Sequence, residues 1–218
     1  MAILDPLPAK AQAVRLISQV APDYARILGL GPEQRSLGLI TADNDDALYV
    51  SIDEATKMAD VQVVYAKSFY AGARHASGPL SGEIIALLAG PGPAEVAAGL
   101  DAAQRYLSER AFWYAADDQG GSAFFPHVIS HIGSYLAQLT GLPAGDPVAY
   151  LVAQPLEGCF ALDSALKAAD VRIVSYTAPP SETNFMGAIL TGEQSACEAA
   201  AEAFQAAVLE VARQPFRY

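Results

Sequence analysis

An internal repeat constrains this chain more than any other feature. Residues 52–64 read IDEATKMADVQVV and residues 162–174 read LDSALKAADVRIV, an offset of 110. Other segments recur in the same order. Residues 16–20 match residues 128–132 and residues 29–30 match residues 141–142, both at an offset of 112. Residues 88–90 match residues 190–192 at an offset of 102. Two copies of one supersecondary unit predict two similar, pseudo-symmetric domains. We expect these domains to span residues 1–112 and 113–218.

Composition and charge argue against several classes of protein. The net charge is −11, which makes nucleic acid an unsuitable partner because phosphate binding needs clustered Lys and Arg. The sequence has no uninterrupted apolar run of about 18 residues, and we therefore expect no membrane partner. The N-terminus lacks the basic and apolar regions of a signal peptide. Cys159 and Cys197 lie at unmatched places in the repeats, which predicts free thiols packed as small apolar groups.

Hydrophobic periodicity predicts the same element order in each half. Residues 10–28 and 127–140 are predicted as helices, and residues 47–50 and 160–161 as strands. Each half then reads helix, two strands, helix, two strands, helix. This order predicts an α+β protein whose domains are sandwiches with mainly antiparallel, four-stranded sheets. The Gly-, Ser- and Pro-rich residues 71–82 are predicted as a loop and residues 112–121 as the linker.

Motifs for catalysis are missing from the sequence. There is no nucleophile elbow and no phosphate-binding loop, so we assign no catalytic residue, no cofactor and no metal, and expect a protein that is not an enzyme. Two alternatives stay open: a ligand-binding sensor of duplicated α+β fold, and a metal-dependent enzyme. For the enzyme, His127 and His131 lie four apart on a predicted helix and could hold zinc together with Asp117 or Asp118.

Charged residues suggest two surface roles. Asp45, Asp46 and Glu83 flank the loop region of the first half and could form a cation site, or could be a solvated turn and a strand-edge Glu. The spacing of four in Asp53–Lys57 and Asp163–Lys167 predicts exposed helical ion pairs, each contributing about 0.3 kcal/mol. Because so small a stabilisation explains little, we favour a surface role for the two lysines.

The repeated unit Asp-x-x-x-Lys-[Met/Ala]-Ala-Asp-Val, followed by a β-branched strand, resembles the bacterial microcompartment shell domain. The helix-first order of each half resembles the circularly permuted form of that domain. The tandem arrangement is similar to shell proteins of ethanolamine-utilisation microcompartments, and the similarity is carried by residues 35–40, 45–46, 53–57, 68–72, 90–91, 94–95, 98–101 and 181–184. The resemblance implies ferredoxin-like sandwich domains in a homotrimer that forms a pseudohexamer.

The same resemblance implies a structural tile. It places the protein in the microcompartment shell in the cytoplasm, where trimers meet other shell proteins edge to edge through Lys57 and Lys167. It implies a gated central pore for metabolites and ethanolamine binding in small pores within each subunit, between its two domains. Zinc and cobalamin binding are associated with the family, and no motif here supports either. The positions that match the ethanolamine site are Asp45, Asp46, Glu83, Phe112, Glu182, Thr183 and Asn184.

Overall fold

The computed structural model describes residues 1–69 and 80–217. The predicted loop at 71–82 and the family-like run at 68–72 therefore lie largely outside the described residues. Within the described stretches, none of the helices is both long and apolar enough to cross a bilayer. In chain order the elements are β1 (Pro6–Pro8), β2 (Ala11–Ile17), α1 (Pro22–Ile27), β3 (Ser36–Ala42), α2 (Asp45–Met58), β4 (Gln62–Ser68), β5 (Ile84–Gly90), α3 (Pro93–Glu109), β6 (Phe112–Ala115), β7 (Ala123–Ile129), α4 (Ser134–Thr140), β8 (Val148–Ala153), α5 (Pro155–Ala168), β9 (Val171–Thr177), β10 (Met186–Gly192) and α6 (Gln194–Arg213).

The chain divides into two compact units. The N-terminal unit comprises Pro8–Ala111 together with Gly133–Leu139. The C-terminal unit comprises Met1–Leu7, Phe112–Ile132 and the chain from Thr140 onward. Each unit thus takes one short segment from the other half of the sequence.

The N-terminal unit is an antiparallel sheet covered by helices. Its strand order is β2-β3-β5-β4, and α2 and α3 pack on each other and on the sheet. Leu37, Ile40, Leu48, Ile52 and Leu88 are fully buried in this unit. Burying an aliphatic side chain of this size contributes about 1.5–3 kcal/mol, so these residues hold α2 firmly against the sheet.

The C-terminal unit repeats this topology and extends it. The order β7-β8-β10-β9 matches that of the first sheet, and β6 and β1 add two strands at the β7 edge. Backbone N–H groups of Leu4 and Ala115 donate across this edge to Ala115 and Asp5 at 2.8 and 3.1 Å. The predicted four-stranded sheet is therefore correct for the first half, whereas the second sheet has six strands. Its core includes Phe124 and Phe204, both fully buried.

The duplication also appears in the turns. Gly29 follows α1 with a φ of +68°, and Gly141 follows α4 with a φ of +72°. Glycine adopts this left-handed conformation without steric cost and commonly ends a helix there. The offset of 112 between the two glycines is the one found in the sequence.

Several predicted elements are wrong. Residues 11–17 form β2 rather than a helix, because Val14 and its neighbours pair with β3 opposite Ile40; only Pro22–Ile27 is helical in that segment. Residues 123–129 form β7 for the same reason. The predicted strands at 47–50 and 160–161 lie inside α2 and α5. Each half is therefore strand, short helix, strand, helix, two strands, helix.

The two cysteines are free thiols in different settings. Cys197 is buried in α6, and burial raises the pKa of its thiol. Cys159 is exposed on α5, so the prediction that both pack as apolar groups is wrong for Cys159.

Candidate ligand site and oligomer edge

Two buried carboxylates open α2. Asp45 and Asp46 are its first two residues, and the side chain of Asn44 caps the helix by accepting the Ala47 N–H at 2.8 Å. The two aspartates are only 6% and 8% exposed. The partial positive charge at the start of a helix stabilises negatively charged side chains there. The start of α2 is therefore suited to hold the two carboxylates.

Glu83 lies within electrostatic reach of Asp45. Its backbone N–H donates to the Ala42 carbonyl at the end of β3 at 2.8 Å. Burial, followed by the charges of Asp45 and Asp43, raises the pKa of the Glu83 carboxyl. The fold therefore brings Glu83 and Asp45 within electrostatic reach across the loop region, and this concentration of negative charge suits a cation.

Tyr49 belongs to the same cluster and was missed in the sequence analysis. Its hydroxyl accepts the backbone N–H of Ser68 at 3.1 Å. Burial raises the pKa of this hydroxyl, and the charges of Asp45 and Asp46 add smaller increases. Hydrogen bonds with Ser68 act in the opposite direction and lower the pKa. Tyr49 follows Asp46 by three residues and Asp45 by four, which places it on the same helix face as both. This spacing is the sequence signal from which Tyr49 could have been predicted.

The segment Glu182–Asn184 forms a tight turn in the C-terminal unit. The Ser181 hydroxyl accepts the N–H groups of Phe185 and Thr183 at 3.1 and 3.3 Å. Asn184 has a φ of +72°, a conformation that Asn adopts more readily than most residues. Glu182 and Asn184 are exposed, and Thr183 is half-buried. The turn therefore has a conformation defined by its own hydrogen bonds.

Phe112 lies near this turn within the same unit. It is half-buried at the start of β6. The next residue, Trp113, contacts the Phe185 ring edge-on at 4.8 Å between centroids. The seven residues predicted from the family resemblance therefore form two groups, with three carboxylates in the N-terminal unit and Phe112 with the turn in the C-terminal unit.

The structure does not have the helical histidine pair on which the metal-dependent alternative depends. His127 lies in β7 rather than on a helix and stacks on Phe125 at 5.0 Å, so the predicted helical histidine pair is wrong. Asp117 accepts the N–H groups of Gln119 and Gly121 at 2.8 and 3.0 Å, and its pKa is lowered, first by the bond from Gly121. Among residues 1–69 and 80–217, no group of three His, Cys, Asp or Glu side chains could hold a metal ion.

The two edge lysines have different partners. Lys57 pairs with Glu54, and its side chain is 26% exposed. Lys167 pairs with Asp163 at 2.5 Å, and its side chain is 74% exposed. The expected exposed Asp53–Lys57 pair is wrong because Asp53 is completely buried. Lys167 is therefore the more accessible of the two predicted contact residues.

Comparison with known proteins gives a consistent result. The BMC domain family matches residues 36–115 and 155–214. The bacterial microcompartment shell protein EutL of Escherichia coli is 51% identical over 100% of this chain and 99% of its own length. The EutL of Salmonella typhimurium is 52% identical over 99% and 98%.

Solved structures agree with the sequence matches. The crystal structure of the ethanolamine utilization protein EutL from Leptotrichia buccalis covers 100% of both chains with a TM-score of 0.96 and 52% identity. Both the sequence and the duplicated fold are thus shared over the full chain. The chain belongs to the BMC-domain family, in the group of bacterial microcompartment shell proteins named EutL.

Proposed function

We propose that this protein is a structural tile of an ethanolamine-utilisation microcompartment shell in the bacterial cytoplasm. Three copies, each with two BMC domains, form a pseudohexameric trimer, and trimers meet other shell proteins edge to edge. The observation that carries the proposal is the full-length similarity to EutL, 51% identity with both BMC domains present. The role is structural, and no described residue is assigned to catalysis.

Edge-to-edge assembly depends on exposed groups at the rim of the tile. We expect Lys167→Ala to weaken two-dimensional assembly while trimers remain intact, because the exposed ammonium group is available to a neighbouring tile. Lys57→Ala should have a smaller effect, since Lys57 is mostly covered. Electron microscopy of concentrated protein measures sheet formation, and light scattering measures the trimer. Normal sheets from both variants would show that neither lysine is an edge contact.

The carboxylate cluster suggests how the tile recognises its small molecule. We propose that Asp45, Asp46 and Glu83 attract the ammonium group of ethanolamine, and that Phe112, Glu182, Thr183 and Asn184 are further ethanolamine-binding residues by family likeness. The support is the placement of Asp45 and Asp46 at the start of α2, with Glu83 within electrostatic reach of Asp45, since clustered carboxylates attract cations and repel anions. Tyr49 adds a polar hydroxyl to the same cluster.

Neutralising either carboxylate should weaken ethanolamine binding. We expect Asp45→Asn and Glu83→Gln each to raise the dissociation constant about tenfold, because each removes one charge-assisted contact. Isothermal titration calorimetry measures this constant directly. Asp101→Asn, at an exposed position of α3 in the same unit, serves as the charge control. Unchanged affinity in both site variants would remove this site from the proposal.

The same binding has a defined pH dependence. An ammonium ion binds the ionised form of Glu83, and the pKa of Glu83 is raised. Affinity should therefore be greatest above the raised pKa and fall as the pH drops through it, at a higher pH than for an ordinary Glu, whose pKa is about 4.3. In Glu83→Gln the fall of affinity at the raised pKa of Glu83 should be absent.

A gated central pore is the last part of the proposal, and its support is the family likeness. Ethanolamine can shift an open–closed equilibrium only by the difference in its affinity for the two states. Cryo-electron microscopy of the trimer with and without saturating ethanolamine measures that shift. Identical proportions of open and closed pores would show that the ligand does not gate the pore.

A further inference from the structure

Tyr49 connects the first turns of α2 with the end of strand β4. Its hydroxyl oxygen accepts the backbone N–H of Ser68, the last residue of β4, at 3.1 Å. Ser68 lies opposite Ile84 in the pairing of β4 with β5, and the next backbone N–H, that of Phe69, donates to the Glu83 carbonyl at 2.9 Å. The Tyr49 hydroxyl therefore lies at the end of the sheet where Glu83 precedes β5.

The same side chain lies near the aspartates that begin α2. Tyr49 follows Asp46 by three residues and Asp45 by four, and side chains at these spacings have Cβ atoms about 5–6 Å apart. Burial raises the pKa of the Tyr49 hydroxyl most, and the charges of the two aspartates raise it further, as expected for groups that lie close together. A cation held by these carboxylates would therefore lie within reach of the Tyr49 side chain.

The Tyr49 hydroxyl has a hydrogen that it can donate. Both the backbone N–H and the side-chain hydroxyl of Ser68 bond to Tyr49, and both bonds lower the pKa of the tyrosine. A bond that lowers the pKa of a phenol is one that its oxygen accepts, because such a bond favours the ionised form. A tyrosine hydroxyl accepts and donates at the same time. With Ser68 as the donor, the hydrogen of Tyr49 can bond to an acceptor on a ligand.

The ring of Tyr49 is held by Tyr135. The two rings are stacked, with centroids 6.1 Å apart and an interplanar angle of 18°. Tyr135 belongs to the segment 133–139, whose backbone donates two hydrogen bonds to the buried Asp53 carboxylate. A side chain that is fixed before binding loses less conformational entropy when the ligand arrives. With its ring stacked and its oxygen bonded to Ser68, Tyr49 is already fixed in this way.

We infer that Tyr49 donates its hydroxyl hydrogen to the hydroxyl oxygen of the bound amino alcohol, and that Tyr135 is the residue that positions it. This inference rests on the proposed ethanolamine site, in which the carboxylates hold the ammonium group. The ammonium and hydroxyl groups of ethanolamine are on adjacent carbons. They can therefore reach a carboxylate and a tyrosine that are one helical turn apart on α2.

This contact gives the site a selectivity that charge alone does not. Carboxylates attract any small ammonium ion, so they do not distinguish ethanolamine from ethylamine, which has the same charge and lacks the hydroxyl. A site that bonds to a ligand hydroxyl discriminates against the analogue without it, because the polar group of the site is left unpaired. The ratio of the two dissociation constants therefore isolates the contribution of the hydroxyl contact.

Calorimetric titration of the full chain with each amine tests the contact. We expect the wild type to bind ethylamine about fivefold more weakly than ethanolamine, and Tyr49→Phe to bind the two amines equally. Asp45→Asn should weaken both amines by the same factor, because both carry the same charge. Tyr49→Phe also removes the acceptor for Ser68, but a purely structural role of Tyr49 would weaken both amines equally and leave their ratio unchanged.

The role of Tyr135 is tested by the same ratio. Tyr135→Leu removes the stacked ring and should lower the ratio toward one, whereas Tyr135→Phe keeps the ring and should keep the wild-type ratio. A wild-type ratio in Tyr135→Leu would overturn the positioning role of Tyr135.

The outcomes separate this inference from the proposed function. A wild-type ratio in Tyr49→Phe, or equal affinity of the wild type for the two amines, would overturn the hydroxyl contact and leave the proposed ethanolamine site intact. A wild-type protein that does not bind ethanolamine would end both.

Discussion

Asp53→Ala is expected to lower the free energy of unfolding by about 3 kcal/mol or more. Asp53 is completely buried and is the acceptor for the N–H groups of Gly133 and Leu136. An unsatisfied buried donor costs about 1–3 kcal/mol, and breaking a buried charged contact costs about 3–5 kcal/mol. Urea denaturation at a fixed protein concentration measures the loss.

The part of the chain that Asp53→Ala destabilises can also be located. In Asp53→Ala, the backbone amides of residues 133–139 should show the largest increase in hydrogen-exchange rate, because these residues lose the group that binds them to α2. Asp101→Ala removes an exposed carboxylate from the same unit and should change stability by less than about 0.5 kcal/mol. Equal stability of Asp53→Ala and Asp101→Ala would contradict the role given to Asp53.

Gly82→Ala is expected to destabilise the protein by about 3 kcal/mol and to weaken ethanolamine binding. Gly82 has a φ of +62°, and a Cβ there would lie 1.9 Å from the Ala42 carbonyl oxygen. The left-handed conformation alone costs a residue with a side chain about 1–2 kcal/mol, and the clash with the backbone adds to it. Because Glu83 follows directly, relief of the clash would displace its carboxylate.

Gly29→Ala is the matched control for this prediction. Gly29 has nearly the same φ, +68°, and no atom lies within 4 Å of the position that a Cβ would occupy. This variant therefore carries the conformational cost of about 1–2 kcal/mol without the clash, and ethanolamine affinity should stay unchanged. Thermal unfolding and calorimetry separate the two contributions, and identical behaviour of the two variants would argue against the clash.

Sequence reasoning could group Asp45, Asp46 and Glu83 because charge and loop placement are local, and their role in ligand binding stays a prediction. Asp45 and Asp46 begin α2, and Glu83 directly precedes β5. Tyr49 was missed because residues 47–50 were interpreted as a strand, which places its side chain on the wrong face. The cap from Asn44 starts a helix there instead.

The helix predicted at residues 10–28 shows a second limit. A segment with apolar residues at several spacings fits both a helix and a half-buried strand. Pairing of Val14 with Ile40 selects the strand. The residues that select the strand are distant in sequence, so a local pattern does not include them.

The repeated sequence by itself determined that this protein has two similar domains and which residues correspond between them. Only the tertiary structure decided that Asp53 is buried and Asp163 exposed, although both stand in the same Asp-x-x-x-Lys pattern. The physical reason is that burial depends on what covers a residue. Residues 133–139 cover Asp53 within the chain, whereas in a single chain Asp163 remains open to solvent and pairs with Lys167.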